Sequence, residues 1–142
     1  MDTQKSIHSL KSTAAFDQMR KNFQKNGAEL AKKCNAIYNF EVIENKGGPV
    51  LVCWIVDLKS GNGTVKQGSH PNADATITME DSDWVEVSNR KLNPQMALLM
   101  GSMKVKGDIK KSNFFTSDFF REETEDEKRK PKVFDEEKDD FF

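Results

Sequence analysis

The run Val50-Leu51-Val52-Cys53-Trp54-Ile55-Val56 constrains this chain more than any other stretch. It is far too short for a membrane-crossing helix, which takes about 20 apolar residues. It is also too continuously apolar for a strand with one wetted face, which would alternate. The run therefore predicts a strand covered on both faces, in the middle of a sheet. Gly47-Gly48-Pro49 before it reads as a turn. Ser60-Gly61-Asn62-Gly63 after it reads as a hairpin turn, because these residues tolerate positive φ. A chain of 142 residues fits one domain with a real core.

The flanking stretches fill in that sheet. Residues 38–43 place Tyr38, Phe40 and Val42 on one side of a strand, up to Ile43. Residues 64–68 form a short return strand. After Pro71, Ala75, Ile77 and Met79 alternate with polar residues. Met103 and Val105 point inward on a last strand, opposite Lys104 and Lys106. Helices surround these strands. Ser12 or Thr13 can cap a helix carrying Phe16, Met19 and Phe23; Gly27 interrupts that pattern, and Leu30, Ala31 and Cys34 continue it. Asp81 or Ser82 caps a helix to about Lys91, with Trp84, Val87 and the Lys91 stem inside. Asn93-Pro94 opens a short helix that Gly101 ends after Met96, Leu99 and Met100. Asp108 caps a closing helix from Ile109 towards Phe120. The expected fold is thus α+β: helix, antiparallel meander, two short helices, strand, helix.

Charge narrows the possible partners. Apolar residues make up 36% of the chain and charged residues 32%, so part of it must lie outside a core. Residues 121–142 hold ten acids and six bases, a net of −4. With −1 overall, residues 1–120 carry +3 by subtraction. Three regions follow: an N-terminal arm at 1–13, a domain at 14–120 and a charged tail at 121–142, expected to be disordered. A mildly basic body suits transient contact with anionic membrane surfaces. It carries no basic stretch interleaved with stacking aromatics, so nucleic acid is not expected. The N-terminus lacks an apolar signal core, so secretion is not expected either.

Reactive chemistry finds little support. His8 and His70 have no nearby nucleophile or carboxylate that would make an acid–base pair. Two Cys and two His so far apart do not suggest zinc. Cys34 and Cys53 sit in apolar context and read as buried thiols of a reducing compartment. Gly61-Asn62-Gly63 lacks the Gly-Lys-Ser/Thr of a phosphate loop. Met79, Met96, Met100 and Met103 cluster in the third quarter of the chain. Flexible, polarisable side chains suit a cavity of variable contents, and equally an ordinary core. Trp84 can line such a cavity or anchor helix to sheet, and Leu58 can sit at its mouth or in the core.

Three linked stretches carry a family pattern. Trp54-Ile55-Val56-Asp57-Leu58-Lys59 precedes a Gly-rich turn; Ala75-Thr76-Ile77-Thr78-Met79-Glu80-Asp81 leads into the Trp84 helix; Lys91-Leu92-Asn93-Pro94-Gln95-Met96 precedes Gly101-Ser102-Met103-Lys104-Val105-Lys106-Gly107. With the helical opening from Phe16 to Cys34, this order resembles the sterol carrier protein 2 family, the non-specific lipid-transfer proteins, over about residues 14–110. The resemblance implies a five-stranded, mostly antiparallel sheet covered on one face by helices, with an apolar tunnel between the layers. It implies reversible uptake of sterols, fatty acids, fatty acyl-CoA or phospholipids, with no catalysis and no cofactor, by a monomer. The tunnel wall is then expected at Leu58, Ile77, Met79, Trp84, Val87, Met96, Leu99, Met100, Met103, Val105, Ile109, Phe115 and Phe119. A non-enzymatic adaptor, holding a protein partner such as a lipid-metabolising enzyme, is the rival reading.

Two departures from the family stand out. Members often end in a peroxisomal Ser-Lys-Leu-type address, whereas this chain ends Asp140-Phe141-Phe142, which favours the cytoplasm. Lys110, Lys111, Ser112 and Asn113 replace apolar residues at the start of the closing helix, and Phe114, Phe115, Phe119 and Phe120 follow. Core closure, membrane contact and a docking peptide compete for these phenylalanines. Closure is expected, with Phe115 and Phe119 on one helical face and Phe120 exposed.

Overall fold

A computed structural model describes residues 10–122. The opening helix α1 spans Ser12–Cys34 and leads into β1 (Ala36–Ile43), β2 (Val50–Leu58) and β3 (Thr64–Gln67). Next come β4 (Ala75–Glu80), α2 (Asp81–Ser88), α3 (Pro94–Met100), β5 (Lys104–Gly107) and α4 (Ile109–Ser112). A 3₁₀ turn at Ser117–Phe120 closes the described chain. The expected charged tail from residue 123 onward and the terminal phenylalanines lie outside the described residues.

The five strands form one sheet in the order β3-β2-β1-β4-β5. Three of the pairings are antiparallel, but β1 and β4 run parallel, with Phe40 opposite Ile77. The expected antiparallel meander is corrected at this point. Residues 68–74 carry the chain from the β3 edge across to the far side of β1. Asn39, on the face opposite Tyr38 and Phe40, latches this crossover. Its amide donates to the His70 carbonyl at 3.0 Å and its Oδ1 accepts from the His70 N–H at 2.8 Å. This explains why a polar residue in mid-strand is buried.

The helices cover one face of the sheet. Tyr38, Phe40, Val42, Trp54, Val56, Leu58, Ala75, Ile77 and Met79 are all buried on that side. The opposite face of β2 is only half-buried, and Val50 is exposed. The apolar run is therefore flanked by strands on both edges, as expected, but covered on one face rather than two. Its second face meets the crossover: the Gly68 N–H donates to the Cys53 carbonyl at 2.9 Å, and Ile55 lies against Gly68.

Helix α1 continues through Gly27 without a break. A Cβ there would collide with the Asn62 carbonyl oxygen, so this glycine admits the β2–β3 turn against the helix. The α1 N-terminus is capped from elsewhere in the chain. Asp81 accepts from the Lys11 and Ser12 N–H groups at 3.0 and 2.8 Å, satisfying two of the orphan donors of a helix start. The expected caps, Ser12 and Thr13, lie inside the helix, and Asp81 serves α1 rather than α2. The Lys91 side chain, expected inside, is exposed. At α3 the expected cap holds: Asn93 accepts from the Gln95 and Met96 N–H groups, and Gly101 ends the helix at φ 83°.

Candidate functional site: an aromatic interlayer under a C-terminal strap

The space between helices and sheet is occupied by aromatic rings. Phe16 on α1 stacks on Trp54 of β2 at 5.0 Å, and Phe40 on β1 stacks on Trp84 of α2 at 5.0 Å. Phe115 lies 4.9 Å from Phe40 and 5.1 Å from Phe119. Tyr38 and Phe23 each meet Phe119 edge-on at 6.1 Å. Aromatic pairs of this kind contribute about 0.5–1.5 kcal/mol each beyond area burial. Trp84 also donates its indole N–H to the Glu41 carbonyl at 3.0 Å, tying α2 to the central strand.

Residues 109–120 lie across this interlayer as a strap. The expected single helix is instead a short α4, a turn and a 3₁₀ turn. Asp108 caps α4, its carboxylate accepting from the Lys111 N–H at 3.1 Å. Polar ties hold the strap at both ends. At one end Tyr38 donates to the Lys111 carbonyl at 2.6 Å, and the Lys111 ammonium donates to the carbonyls of Cys34 and Asn35 at 3.0 Å. At the other, Asn22 donates to the carbonyls of Asp118 and Phe119 at 2.9 and 3.0 Å, and Gln18 to that of Arg121 at 3.0 Å. Arg90 pairs with Asp118 across an exposed 3.2 Å contact. Two clefts flank the strap. One of about 290 Å³ runs between residues 92–95 and residues 115–118, with Phe115 in its wall. The other, of about 500 Å³, lies between Asn26, Glu29, Leu30 and Lys33 of α1 and Asp118 and Arg121.

The expected wall residues divide cleanly. Leu58, Ile77, Met79, Trp84, Val87, Met103, Phe115 and Phe119 are buried in one core cluster, with Val105 partly buried against it. Met96, Leu99, Met100 and Ile109 are exposed instead. On α3 the buried positions are Pro94 and Ala97, so the three larger residues are turned out. Ile109 follows directly on the cap at Asp108, at the exposed start of a helix whose buried residue is Ser112. Phe120, expected outside, is buried 6.3 Å from Phe16, because the 3₁₀ turn brings it round beneath α1. The same buried cluster also holds Phe16, Met19, Phe23, Tyr38, Phe40 and Trp54, which were not among the expected wall residues. Their periodicity on α1, β1 and β2 was the available signal.

The polar groups near the interlayer are quiet. Burial raises the Cys34 thiol above its ordinary pKa, although Tyr38 and Lys33 oppose the shift. Burial, then Glu41, pushes the Cys53 thiol up to about 11. Both thiols are therefore protonated at neutral pH and poorly nucleophilic. Burial, then Cys34, also raises the Tyr38 hydroxyl, which keeps it a hydrogen-bond donor. His70 accepts from the Asn72 N–H at 3.0 Å and shapes the crossover loop. Among the described residues two buried side-chain atoms, Ser12 Oγ and Trp54 Nε1, have no hydrogen-bond partner. Ser12 is one turn before Phe16 on α1, and Trp54 is stacked on Phe16.

A layer of aromatic side chains lies under a strap tied by polar contacts at both ends, and relatives of known structure share this fold. Residues 16–117 match the SCP-2 sterol transfer family. The chain belongs to that family. Sterol carrier protein 2 of Arabidopsis thaliana is 38% identical over 112 residues, covering 78% of this chain and 91% of the relative. Sterol carrier protein 2 of Bos taurus is 36% identical over 107 residues, covering 75% of this chain but 20% of the relative. The chain thus spans about a fifth of that longer protein. The solved apo sterol carrier protein 2 of Yarrowia lipolytica superposes with a TM-score of 0.63 at 32% identity, covering 75% of this chain and 88% of that one. The α+β sheet-and-helix fold of the SCP-2 sterol transfer family is therefore the fold of this chain.

Proposed function

We propose that the protein carries a single-chain lipid or a sterol by parting the strap at 109–120 from the aromatic interlayer, and that it performs no chemistry on the ligand. The observation that supports this is the strap itself: Phe115 and Phe119 cover the interlayer, while the polar ties that hold the strap lie at its two ends. Burying each methylene is favourable by about 0.8 kcal/mol relative to water, so a long acyl chain gains roughly ten or more. A bilayer offers almost the same gain, which makes uptake reversible. Of the clefts beside the strap, that of about 290 Å³ lies at the lower end of the roughly 300–1,000 Å³ usual for small-molecule sites and that of about 500 Å³ lies within it. Loading then widens them by displacing phenylalanines rather than by filling a rigid void. Trp54 Nε1 and Ser12 Oγ are the buried groups left to receive a ligand's hydroxyl or carboxylate.

Titration with a fluorescent fatty acid and with dehydroergosterol tests the reading. Saturable binding of one ligand per chain is expected. Phe115→Ala with Phe119→Ala should lower both thermal stability and ligand retention. Met103→Lys should weaken binding, because an ammonium in an apolar wall is costly, and Lys104→Met should leave it unchanged. Trp54→Phe should weaken the hydroxylated or carboxylated probe while sparing the fold. No saturable binding of any probe, together with capture of a protein partner by the same surface, would replace the carrier with the adaptor reading.

A further inference from the structure

Helix α3 is inverted relative to α1 and α2. It is the most apolar of them in sequence, yet Met96 is 51% exposed, Leu99 81% and Met100 61%, while Ala97 is fully buried. Positions 96, 99 and 100 stand at i, i+3 and i+4, so they share one outward face. Leu98 adds a further exposed edge at 38%. One exposed leucine is ordinary on any protein. Four large apolar side chains within five residues form a patch of the kind that marks a contact surface.

The charge around this patch has one sign along the chain. No Asp or Glu occurs from residue 87 to residue 107, whereas Arg90, Lys91, Lys104 and Lys106 do. Lys91, Lys104 and Lys106 are exposed. The β1–β2 turn adds Lys46, whose ammonium stands 3.9 Å from where a Cβ on Gly101 would lie, at the C-terminal end of α3. The acid that Lys46 faces is Asp83 on α2: burial raises its carboxyl, Glu80 of β4 and Glu86 of α2 add to that shift, and Lys46 opposes it. Arg90 is engaged with Asp118. An apolar centre with Lys46 beside it and only basic charge in the flanking stretches of chain is the pattern that anionic phospholipid surfaces attract. The N-terminal end of the same helix, Asn93, Pro94 and Gln95, borders the cleft that has Phe115 in its wall.

We propose that α3 docks the protein on an anionic phospholipid bilayer, with Met96, Leu99 and Met100 entering the interface and Lys46, Lys91 and Lys104 meeting the headgroups. Docking by this face sets the cleft beside the strap against the membrane, where a ligand leaves or joins the lipid. The proposal rests on the carrier reading for its purpose, but the contact can be measured separately. The patch is small and carries few lysines, so the contact is weak and short-lived, as a carrier that must depart requires.

The experiment is co-sedimentation of the full chain with vesicles of phosphatidylcholine alone and of phosphatidylcholine with phosphatidylserine. Binding to the anionic vesicles, weakened by salt, is expected. Leu99→Ser with Met100→Ser should weaken it by on the order of tenfold or more, since removing even part of one buried apolar side chain is worth that much. Lys91→Glu with Lys104→Glu should weaken it through charge alone, without touching the apolar face. Both variants should keep the wild-type melting temperature and, without vesicles, the wild-type uptake of a fluorescent fatty acid. Unchanged vesicle binding by both variants would overturn the docking face, as would equal wild-type binding to neutral vesicles. Sedimentation equilibrium provides a further arm: a wild-type dimer that the serine variant dissolves would make the patch a contact between copies and overturn the proposal. If the wild type takes up no fatty acid but its vesicle binding still depends on α3, docking stands and the carrier reading falls.

Discussion

Helices α2 and α3 are neighbours in sequence and nearly equal in length, and they use their apolar residues in opposite ways. Of α2's apolar residues, Trp84 and Val87 are fully buried. On α3 the large apolar residues are turned out and the small one is buried. The difference lies in what anchors each helix. Trp84 is locked by rings on three sides and by a hydrogen bond to β1. The Asp81 carboxylate at the start of α2 caps α1. On α3, Ala97 lets the helix backbone approach the domain closely, and its ends are set locally by Asn93 and Gly101. Hydrophobicity therefore did not select which helix joins the core; the position of one large side chain and one small one did.

Substitutions at four positions test that contrast, in descending order of effect. Trp84→Ala should destabilise the domain by about 3–5 kcal/mol, the usual range for a buried tryptophan. Urea denaturation followed by circular dichroism measures it, and a loss below about 1 kcal/mol would show that α2 is not an anchor. Asp81→Ala should cost about 1–3 kcal/mol by leaving the Lys11 and Ser12 N–H groups without their acceptor. Asp81→Asn should recover part of that loss, because one acceptor oxygen remains. Asn93→Ala should cost about 1 kcal/mol as a lost helix cap, with faster amide exchange confined to α3. Leu99→Ser should change stability by no more than about 0.5 kcal/mol. A loss comparable with that at Trp84 would mean that Leu99 packs inward in solution, and the α2–α3 contrast would collapse.

Local pattern was legible wherever one rule sufficed. The alternation of Ala75, Ile77 and Met79 marked the buried face of β4, and Asn93-Pro94 with Gly101 bounded α3. The inward Met103 and outward Lys104 also stand as their parity implied. Misreadings arose where two rules competed. Asp81 carries the signature of a local cap, but its carboxylate reaches the start of α1, 69 residues away in sequence. Phe115 and Phe119 do meet, yet through a turn and not through helical spacing. Met96, Leu99 and Met100 fit an amphipathic helix, and periodicity states that such a helix has an apolar face without stating which way it turns.

The division between sequence and structure follows from the range of the forces. Turn chemistry, caps and strand parity act over a few residues, so the elements, their order and the family pattern were readable from the chain alone. The parallel pairing of β1 with β4, the single covered face of β2 and the outward turn of α3 depend on contacts between distant segments. A parallel partner needs the crossover latched by Asn39, coverage needs a second layer, and the orientation of α3 needs a surface that accepts Ala97 and excludes leucine. Each is decided by which large side chains already occupy the interlayer. Only the packed structure specifies that.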